Sequence, residues 1–157
     1  MRLEEKVARR LFRQKKTIAL AESCTGGLLG HRLTNISGSS RYLKLGLVVY
    51  SYEAKEKLLK IPRQTLRQYG AVSDPVTTQL AQNVRKILKT DFGVGITGIA
   101  GPTGATKTKP LGLVYIAVAT KRKIICVKYL FKGSRISIKT QAADKALQLL
   151  LEFLSVG

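Results

Sequence analysis

The chain has 157 residues, 45% of them hydrophobic, enough to bury the core of one domain with little left for a second. Its formal net charge of +19 fits an anionic partner such as nucleic acid, a phosphorylated metabolite or an acidic membrane surface, but an organism-wide basic surface bias explains it better than general nucleic-acid binding does. No apolar run approaches a membrane span, no export signal opens the chain, and two cysteines with one histidine argue against a zinc site. We therefore expect a cytoplasmic protein that binds no membrane and binds nucleic acid at most weakly and non-specifically.

Helix-like and strand-like patterns alternate along the chain. The predicted elements, in order, are a helix over 3–16, a strand over 17–21, a helix over 26–33, a strand over 45–50, helices over 53–59 and 62–68, a helix opening at Ser73-Asp-Pro75, strands over 92–96, 111–120 and 124–131, and a helix from 133. One apolar face of the helix after Ser73 should hold Val76, Leu80, Val84, Ile87 and Leu88. This alternation predicts one α/β domain over 1–157, a three-layer α/β/α sandwich with a mixed, mostly parallel sheet of about five strands and one antiparallel hairpin.

The segment 17–27 runs from an apolar strand into a polar, Gly-rich bend and then into a helix. A hydroxyl or thiol on such a bend lies beside the free N–H groups and positive dipole end of a helix, where negative charge is stabilised. Ser23 and Cys24 are therefore candidate nucleophiles. The single histidine, His31, lies roughly 12 Å along the helix from Ser23, too far for a direct hydrogen bond. This argues against a Ser-His-Asp triad and leaves a lysine or a carboxylate as the base.

Three polar clusters follow the first three predicted strands: 23–27, 50–55 and 97–104. Open α/β sheets bind ligands at the carboxyl ends of their strands, so these clusters should share one rim of the sheet. Each has an ordinary explanation, because Gly-rich loops are common turns and a lysine such as Lys55 on a short helix is commonly solvated. Their coincidence on one rim favours a functional site.

Five short segments together resemble the C-terminal domain of the CinA (competence/damage-inducible) family: 21–27, 50–55, 70–73, 98–102 and 109–112. The resemblance covers nearly the whole chain, in order and at natural spacing. It implies an amidohydrolase that converts nicotinamide mononucleotide to nicotinate mononucleotide and ammonia, without a metal or an organic cofactor. Larger family members carry an additional N-terminal domain, for which this chain has no room. We also expect a homo-oligomer.

Carried over residue by residue, the resemblance implies that Ser23 is the nucleophile and Lys55 the general base, with Tyr50 and Thr97 as polar partners. An arginine near the start of the last helix is implied as well. The expected substrate-binding residues are Thr25, Gly26, Gly98, Gly101, Arg135 and Lys139.

A lysine base must be neutral, so the pKa of Lys55 has to fall from about 10.4 through burial or through cationic neighbours. Because the chain is strongly basic, we expect cationic neighbours to contribute to this lowering of the pKa. Backbone N–H groups of the bend 24–27, with those near Gly98, are expected to hold the oxyanion. Cys24 is a rival nucleophile, but adjacent side chains diverge on a tight turn, and we interpret Cys24 as a packed small residue.

Arg135 is expected to bind a phosphate. A cation in the first turn of a helix is repelled by the positive end of the helix dipole, unless a bound anion interacts with both the guanidinium and the free N–H groups of the helix. Lys139 shares its helix face and could add a second charge, although a solvated basic face is the alternative. Four positions depart from the family pattern: Tyr52, Thr103, Ser134 and Lys139. The reaction class is therefore better supported than the substrate, and the competing hypothesis is a non-catalytic nucleotide-binding or regulatory module that retains the pocket.

Overall fold

The computed structural model describes residues 1–155, along which helices and strands alternate as predicted, with bounds that shift by one or two residues. The α-helices of this part of the chain are α1 (Leu3–Gln14), α2 (Leu28–Thr34), α3 (Tyr52–Leu59), α4 (Arg63–Tyr69), α5 (Asp74–Leu88) and α6 (Arg135–Ser155), and a short 3₁₀ helix covers Ser39–Arg41. The strands are β1 (Ile18–Glu22), β2 (Leu43–Val48), β3 (Phe92–Gly98), β4 (Leu113–Ala119) and β5 (Ile124–Leu130).

The five strands form one sheet in the order β2-β1-β3-β4-β5. β1 pairs in parallel with β2 and β3, whereas β4 runs antiparallel to both β3 and β5. Four of the five strands therefore point the same way. This confirms the predicted α/β sandwich with a mixed, mostly parallel sheet, and it adds an antiparallel pairing of β3 with β4 to the expected hairpin.

Helices cover both faces of the sheet, so the protein has two hydrophobic cores. Successive side chains of β1 belong to one core and then to the other. Ile18 and Leu20 pack with the inner residues of α1, α2 and α6 on one face. Ala19 and Ala21 pack with α3, α4 and α5 on the other. Because successive strand residues point to opposite faces, β1 is buried throughout its length, which is typical of a central parallel strand.

α5 lies directly on β3 because two glycines of that strand face it. A Cβ atom on Gly93 would stand 2.1 Å from the carbonyl oxygen of Ala81, and one on Gly95 would stand 2.6 Å from that of Thr77. No side chain fits in either place. This close approach fixes α5, and the loop that precedes it, against the end of β3 that carries the candidate site.

Two predictions about these elements were wrong. Ile87 and Leu88 are 49% and 53% exposed, because no described element covers the last turn of α5, and its buried face ends at Val84. Thr97 and Gly98 belong to β3 rather than to the following loop, since they continue the ladder opposite Tyr115 and Val114.

Candidate active site

A pocket of about 240 Å³ opens at the carboxyl end of β1 and β3. Its lining comes from the bend after β1, the loop after β2 with the start of α3, residues 71–72, the loop 98–104 after β3, and Arg135 at the start of α6. The three polar clusters predicted to share a rim therefore contribute to one cavity. Within residues 1–155, no three His, Cys, Asp or Glu side chains lie close enough to hold a metal ion.

Ser23 and Lys55 meet at the floor of this pocket. Lys55 Nζ lies 3.0 Å from Ser23 Oγ and donates a hydrogen bond of 2.7 Å to the carbonyl oxygen of Val49. Lys55 is only 1% exposed and Ser23 9%. α3 brings the lysine here, because Ser51 caps the helix by accepting a hydrogen bond from the Ala54 amide at 3.0 Å and so fixes its first turn.

Burial lowers the pKa of Lys55 from its ordinary value to about 8. The ammonium form loses hydration in the pocket, and no carboxylate of the described chain forms an ion pair with it. The expectation of help from cationic neighbours was wrong, since desolvation alone lowers the pKa here.

Cys24 lines the pocket but is 6% exposed, and burial raises the pKa of its thiol to about 12. A neutral thiol is a poor nucleophile. Its sulfur packs against β3, where a Cβ atom added to Gly98 would lie 3.0 Å from Sγ. These contacts fit the interpretation of Cys24 as a packed small residue.

Glu22 is the residue of this site that the sequence reasoning missed. Its carboxylate is 2% exposed and accepts hydrogen bonds from Thr25 Oγ1 at 2.6 Å and from the amides of Leu29 and Gly30 at 3.0 and 2.9 Å. The free N–H groups of α2, which we expected to stabilise negative charge at Ser23, bind this carboxylate instead. The available signal was a carboxylate at the end of an otherwise apolar strand.

Thr25 was expected to bind substrate, but its hydroxyl donates to Glu22 and it is not among the residues that line the pocket. Thr97 was expected beside Ser23 and Lys55, the two residues of the expected catalytic dyad. It too is absent from the pocket lining, and it is buried. Thr77 Oγ1 donates to the Ser73 carbonyl oxygen, so Thr97 Oγ1 donates to Thr77 Oγ1 at 2.7 Å. The Thr97 hydroxyl thus joins β3 to α5 and forms no hydrogen bond with Ser23 or Lys55.

Arg135 lies at the mouth of the pocket and bridges two loops. Its Nη1 donates to the Gly101 carbonyl oxygen at 2.6 Å and its Nη2 to the Tyr50 hydroxyl at 3.0 Å. The Tyr50 side chain, 57% exposed, therefore faces the guanidinium rather than Ser23 or Lys55. No carboxylate among residues 1–155 pairs with Arg135, so its charge remains available to an anionic ligand.

The other expected substrate-binding residues divide into two groups. Gly98 and Gly101 line the pocket, as does Thr103. Gly26 and Lys139 lie outside its lining but near each other, since a Cβ atom on Gly26 would stand 3.7 Å from Lys139 Nζ. Ser134 accepts a hydrogen bond from the Ser137 amide at 3.2 Å and so caps α6, as expected for this departure from the family pattern.

Comparison with known proteins decides the family. The protein-family model that describes the CinA C-terminal domain matches residues 1–154 of this chain. The chain belongs to this family. Among solved structures, a competence-damaged protein (CinA) superfamily protein from Klebsiella pneumoniae superposes with a TM-score of 0.95 at 30% identity, covering 99% of this chain and 97% of that one. A competence/damage inducible protein from Agrobacterium tumefaciens superposes with a TM-score of 0.91 at 33% identity, covering 99% and 97%.

Longer relatives contain this CinA domain as a part. A CinA-like protein of Syntrophus aciditrophicus is 48% identical over 156 residues, which are 99% of this chain and 37% of that protein. A CinA-like protein of Koribacter versatilis is 50% identical over 147 residues, 94% of this chain and 36% of that protein. The chain therefore spans about a third of the length of these relatives. None of the described helices of the CinA domain is both long and apolar enough to cross a membrane.

Proposed function

We propose that this CinA domain is a serine–lysine amidohydrolase that converts nicotinamide mononucleotide to nicotinate mononucleotide and ammonia. The observation that carries the proposal is the buried contact of 3.0 Å between Lys55 Nζ and Ser23 Oγ, together with a lysine pKa lowered to about 8. A hydroxyl becomes a useful nucleophile when an adjacent base takes its proton, and an amine near neutrality is such a base. The substrate is inferred from the family resemblance and from Arg135.

Proton transfer comes first. With a pKa of about 8, about a tenth of the Lys55 side chains are neutral near pH 7. The neutral amine donates one N–H to the Val49 carbonyl oxygen, which leaves its lone pair free to accept the proton of Ser23. Ser23 Oγ then attacks the carboxamide carbon, and the carbonyl oxygen becomes an oxyanion.

Backbone N–H groups of the bend after β1 are the proposed oxyanion donors. The Gly26 amide donates to the Ser23 carbonyl oxygen, and the helix amides at 29 and 30 donate to Glu22. The amides of Cys24, Thr25 and Gly27 donate to no oxygen among residues 1–155, which leaves them available to a substrate. We therefore assign the oxyanion to these free amides of the bend 24–27.

Lys55 next returns its proton to the amide nitrogen, the C–N bond breaks, and ammonia leaves. The product of this step is an ester of Ser23 with the nicotinate carbonyl. Water then gives one proton to Lys55 and attacks the ester carbon. As the ester bond breaks, Lys55 passes this proton to Ser23 Oγ, which restores the hydroxyl. The released carboxylic acid loses its proton in solution to the released ammonia, so the products are a carboxylate and an ammonium ion. Atoms and charge balance without any other reactant.

Arg135 is the proposed contact for the 5′-phosphate of the substrate. Its guanidinium stands at the mouth of the pocket with no acidic partner in the described chain, and it is tied only to a carbonyl oxygen and a phenol. A phosphate can replace the Tyr50 hydroxyl on Nη2 with a stronger, charge-assisted hydrogen bond. The carboxamide end of the substrate would then reach inward to Ser23.

The test measures ammonia released from nicotinamide mononucleotide and from its riboside by wild type, Ser23→Ala, Lys55→Met and Arg135→Ala. We expect the first two variants to lose activity on both substrates, because nucleophile or base is missing. Arg135→Ala should lower kcat/KM for the mononucleotide alone, by roughly 10- to 150-fold, since a charge-assisted contact contributes about 1.5–3 kcal/mol.

Substantial ammonia release by Ser23→Ala or Lys55→Met would overturn the dyad. Equal losses on both substrates in Arg135→Ala would show that this residue supports the fold or the chemistry rather than the phosphate. Tight binding of the mononucleotide to wild type without any ammonia release would favour the alternative, a nucleotide-binding or regulatory module.

A further inference from the structure

A second concave surface lies at the opposite end of the sheet from Ser23. A cavity of about 780 Å³ opens where β1 and β3 begin and β4 ends, and a second of about 830 Å³ adjoins it across the β4–β5 turn. The two share Lys16, Thr120 and Arg122 in their linings. We call the two cavities together the basic groove. Each is more than three times the volume of the pocket at Ser23.

Cations dominate the lining of this groove: Lys16, Arg85, Lys86, Lys89, Lys121, Arg122 and Lys123. They face two carboxylates, Asp91 and Glu152. One ion pair of the described chain lies here, between Lys16 and Asp91 at 3.4 Å. The groove therefore carries a formal excess of five positive charges, seven minus two. A concave surface lined by one sign of charge concentrates ions of the opposite sign.

The negative ends of helix dipoles offset only part of this positive charge. α1 and α5 both end at the groove, and each C-terminus contributes about half a negative charge. Together they offset about one of the five excess charges. The uncompensated repulsion has no structural benefit that the described residues reveal, whereas a bound anion would relieve it.

Arg85 supplies an independent observation. Its Nη1 donates to the Thr90 carbonyl oxygen at 3.0 Å, but its Nε is the one buried side-chain nitrogen or oxygen atom of residues 1–155 found without a hydrogen-bond partner. A buried donor left unpaired costs about 1–3 kcal/mol and is commonly satisfied by an ion or a water. An anion that enters the groove beside Arg85 could satisfy it after a small shift of the guanidinium.

We propose that the basic groove binds the phosphodiester backbone of a single-stranded nucleic acid. Cations stand on both sides of the β4–β5 turn, along two adjoining cavities, so successive phosphates of one chain can contact them in turn. Phe92 and Phe153 are the aromatic residues of the two linings, and Lys123 already lies over the Phe153 ring at 5.6 Å. Base stacking therefore contributes little, and binding is independent of sequence.

The test uses a fluorescently labelled 20-nucleotide single-stranded DNA and measures anisotropy between 50 and 200 mM salt, conditions in which a phosphate-binding protein loses affinity steeply. The groove variant is Lys86→Gln/Lys121→Gln/Arg122→Gln. The matched control is Lys6→Gln/Arg9→Gln/Arg13→Gln, which removes three exposed charges from a second basic cavity on α1. All six side chains are exposed, so both variants should fold and keep the wild-type amidase activity.

We expect the groove variant to bind about 10- to 100-fold more weakly near 100 mM salt, with the slope of log affinity against log salt reduced by about two. The control variant should bind like wild type. Equal losses in the two variants would overturn the proposal, because net charge rather than the groove would then explain the binding. Absence of binding by wild type at 50 mM salt, or displacement of the DNA by equimolar inorganic tripolyphosphate, would also overturn it.

Discussion

Lys55 combines a cationic side chain with near-complete burial, and this combination sets the expected pH dependence of the reaction. Its pKa is lowered to about 8, and only the amine form can accept the proton of Ser23. kcat/KM should therefore rise about tenfold per pH unit below pH 8 and level off above it. The measurement is a pH–rate profile of ammonia release between pH 6 and 9.5.

Arg135→Ala is the control for this profile, because arginine stays charged throughout the range and its loss should lower the curve without moving its midpoint. A profile that is flat from pH 6.5 to 9, or one with a midpoint near that of a free lysine, would contradict the role of Lys55 as base.

At the residue scale, the sequence predicted that Ser23 and Lys55 lie together in one pocket, but it did not predict the residues that hold their surroundings in place. Ser23 was a candidate because it follows a strand end on a Gly-rich bend, whereas Lys55 as its partner was implied by the family resemblance. Glu22 was missed, and so was the hydrogen bond that it accepts from the Thr25 hydroxyl, because a contact across seven residues such as that with the Leu29 amide depends on the turn geometry. Thr97 was misassigned for a related reason, since the end of β3 is set by its pairing with β4 and not by its own sequence.

At the scale of elements, α1, α3 and α5 share an unusual C-terminus. Lys15, Lys60 and Lys89 adopt the left-handed conformation there, with φ of 54°, 57° and 53°, where glycine is the usual residue. A side chain with a Cβ atom is strained in this region. Lys15→Gly and Lys60→Gly should each raise the free energy of unfolding by roughly 0.5–1 kcal/mol, measured by urea denaturation.

Lys15→Ala and Lys60→Ala are the matched controls, since they remove the same charge but keep the Cβ atom and should give no gain. A gain as large in the alanine variants would mean that relief of charge repulsion, and not of backbone strain, stabilises the protein.

The helices and strands were predictable because the spacing of apolar residues in each segment fits the element that the segment forms. β1 and β3 are continuous apolar runs, and the inner face of α6 recurs at helical spacing. The last turn of α5 shows the limit of this reasoning. Ile87 and Leu88 continue the apolar face by spacing, but burial requires a neighbour that covers them, and the periodicity of one helix carries no information about its neighbours.

At the scale of the whole molecule, the two ends of the sheet differ in the number and the burial of their cationic side chains. At the carboxyl end one lysine is buried and its pKa lowered, so that it can act as a base. At the opposite end seven cations surround open cavities. The net charge of +19 suggested an anionic partner but gave no location for it, because the Lys and Arg residues are scattered along the sequence and the fold brings them together.

The burial of Lys55 should also make stability depend on pH. Its pKa is 10.5 in an unfolded chain and about 8 in the folded one, so between these values the unfolded state binds more protons and stability rises with pH. Below pH 8 both states are protonated, and the buried ammonium costs up to about 3 kcal/mol. That cost disappears as the pH rises through 10.5.

Lys55→Met removes this titration and keeps the length of the side chain. The free energy of unfolding of wild type, measured by urea denaturation relative to Lys55→Met, should therefore increase by up to about 3 kcal/mol between pH 7.5 and 10.5. Because the other lysines and the tyrosines titrate in both proteins, their contributions cancel in the difference. Two stability curves that run parallel over this range would show that Lys55 keeps an ordinary pKa in the folded protein, and the pH profile of the proposed reaction would then need another base.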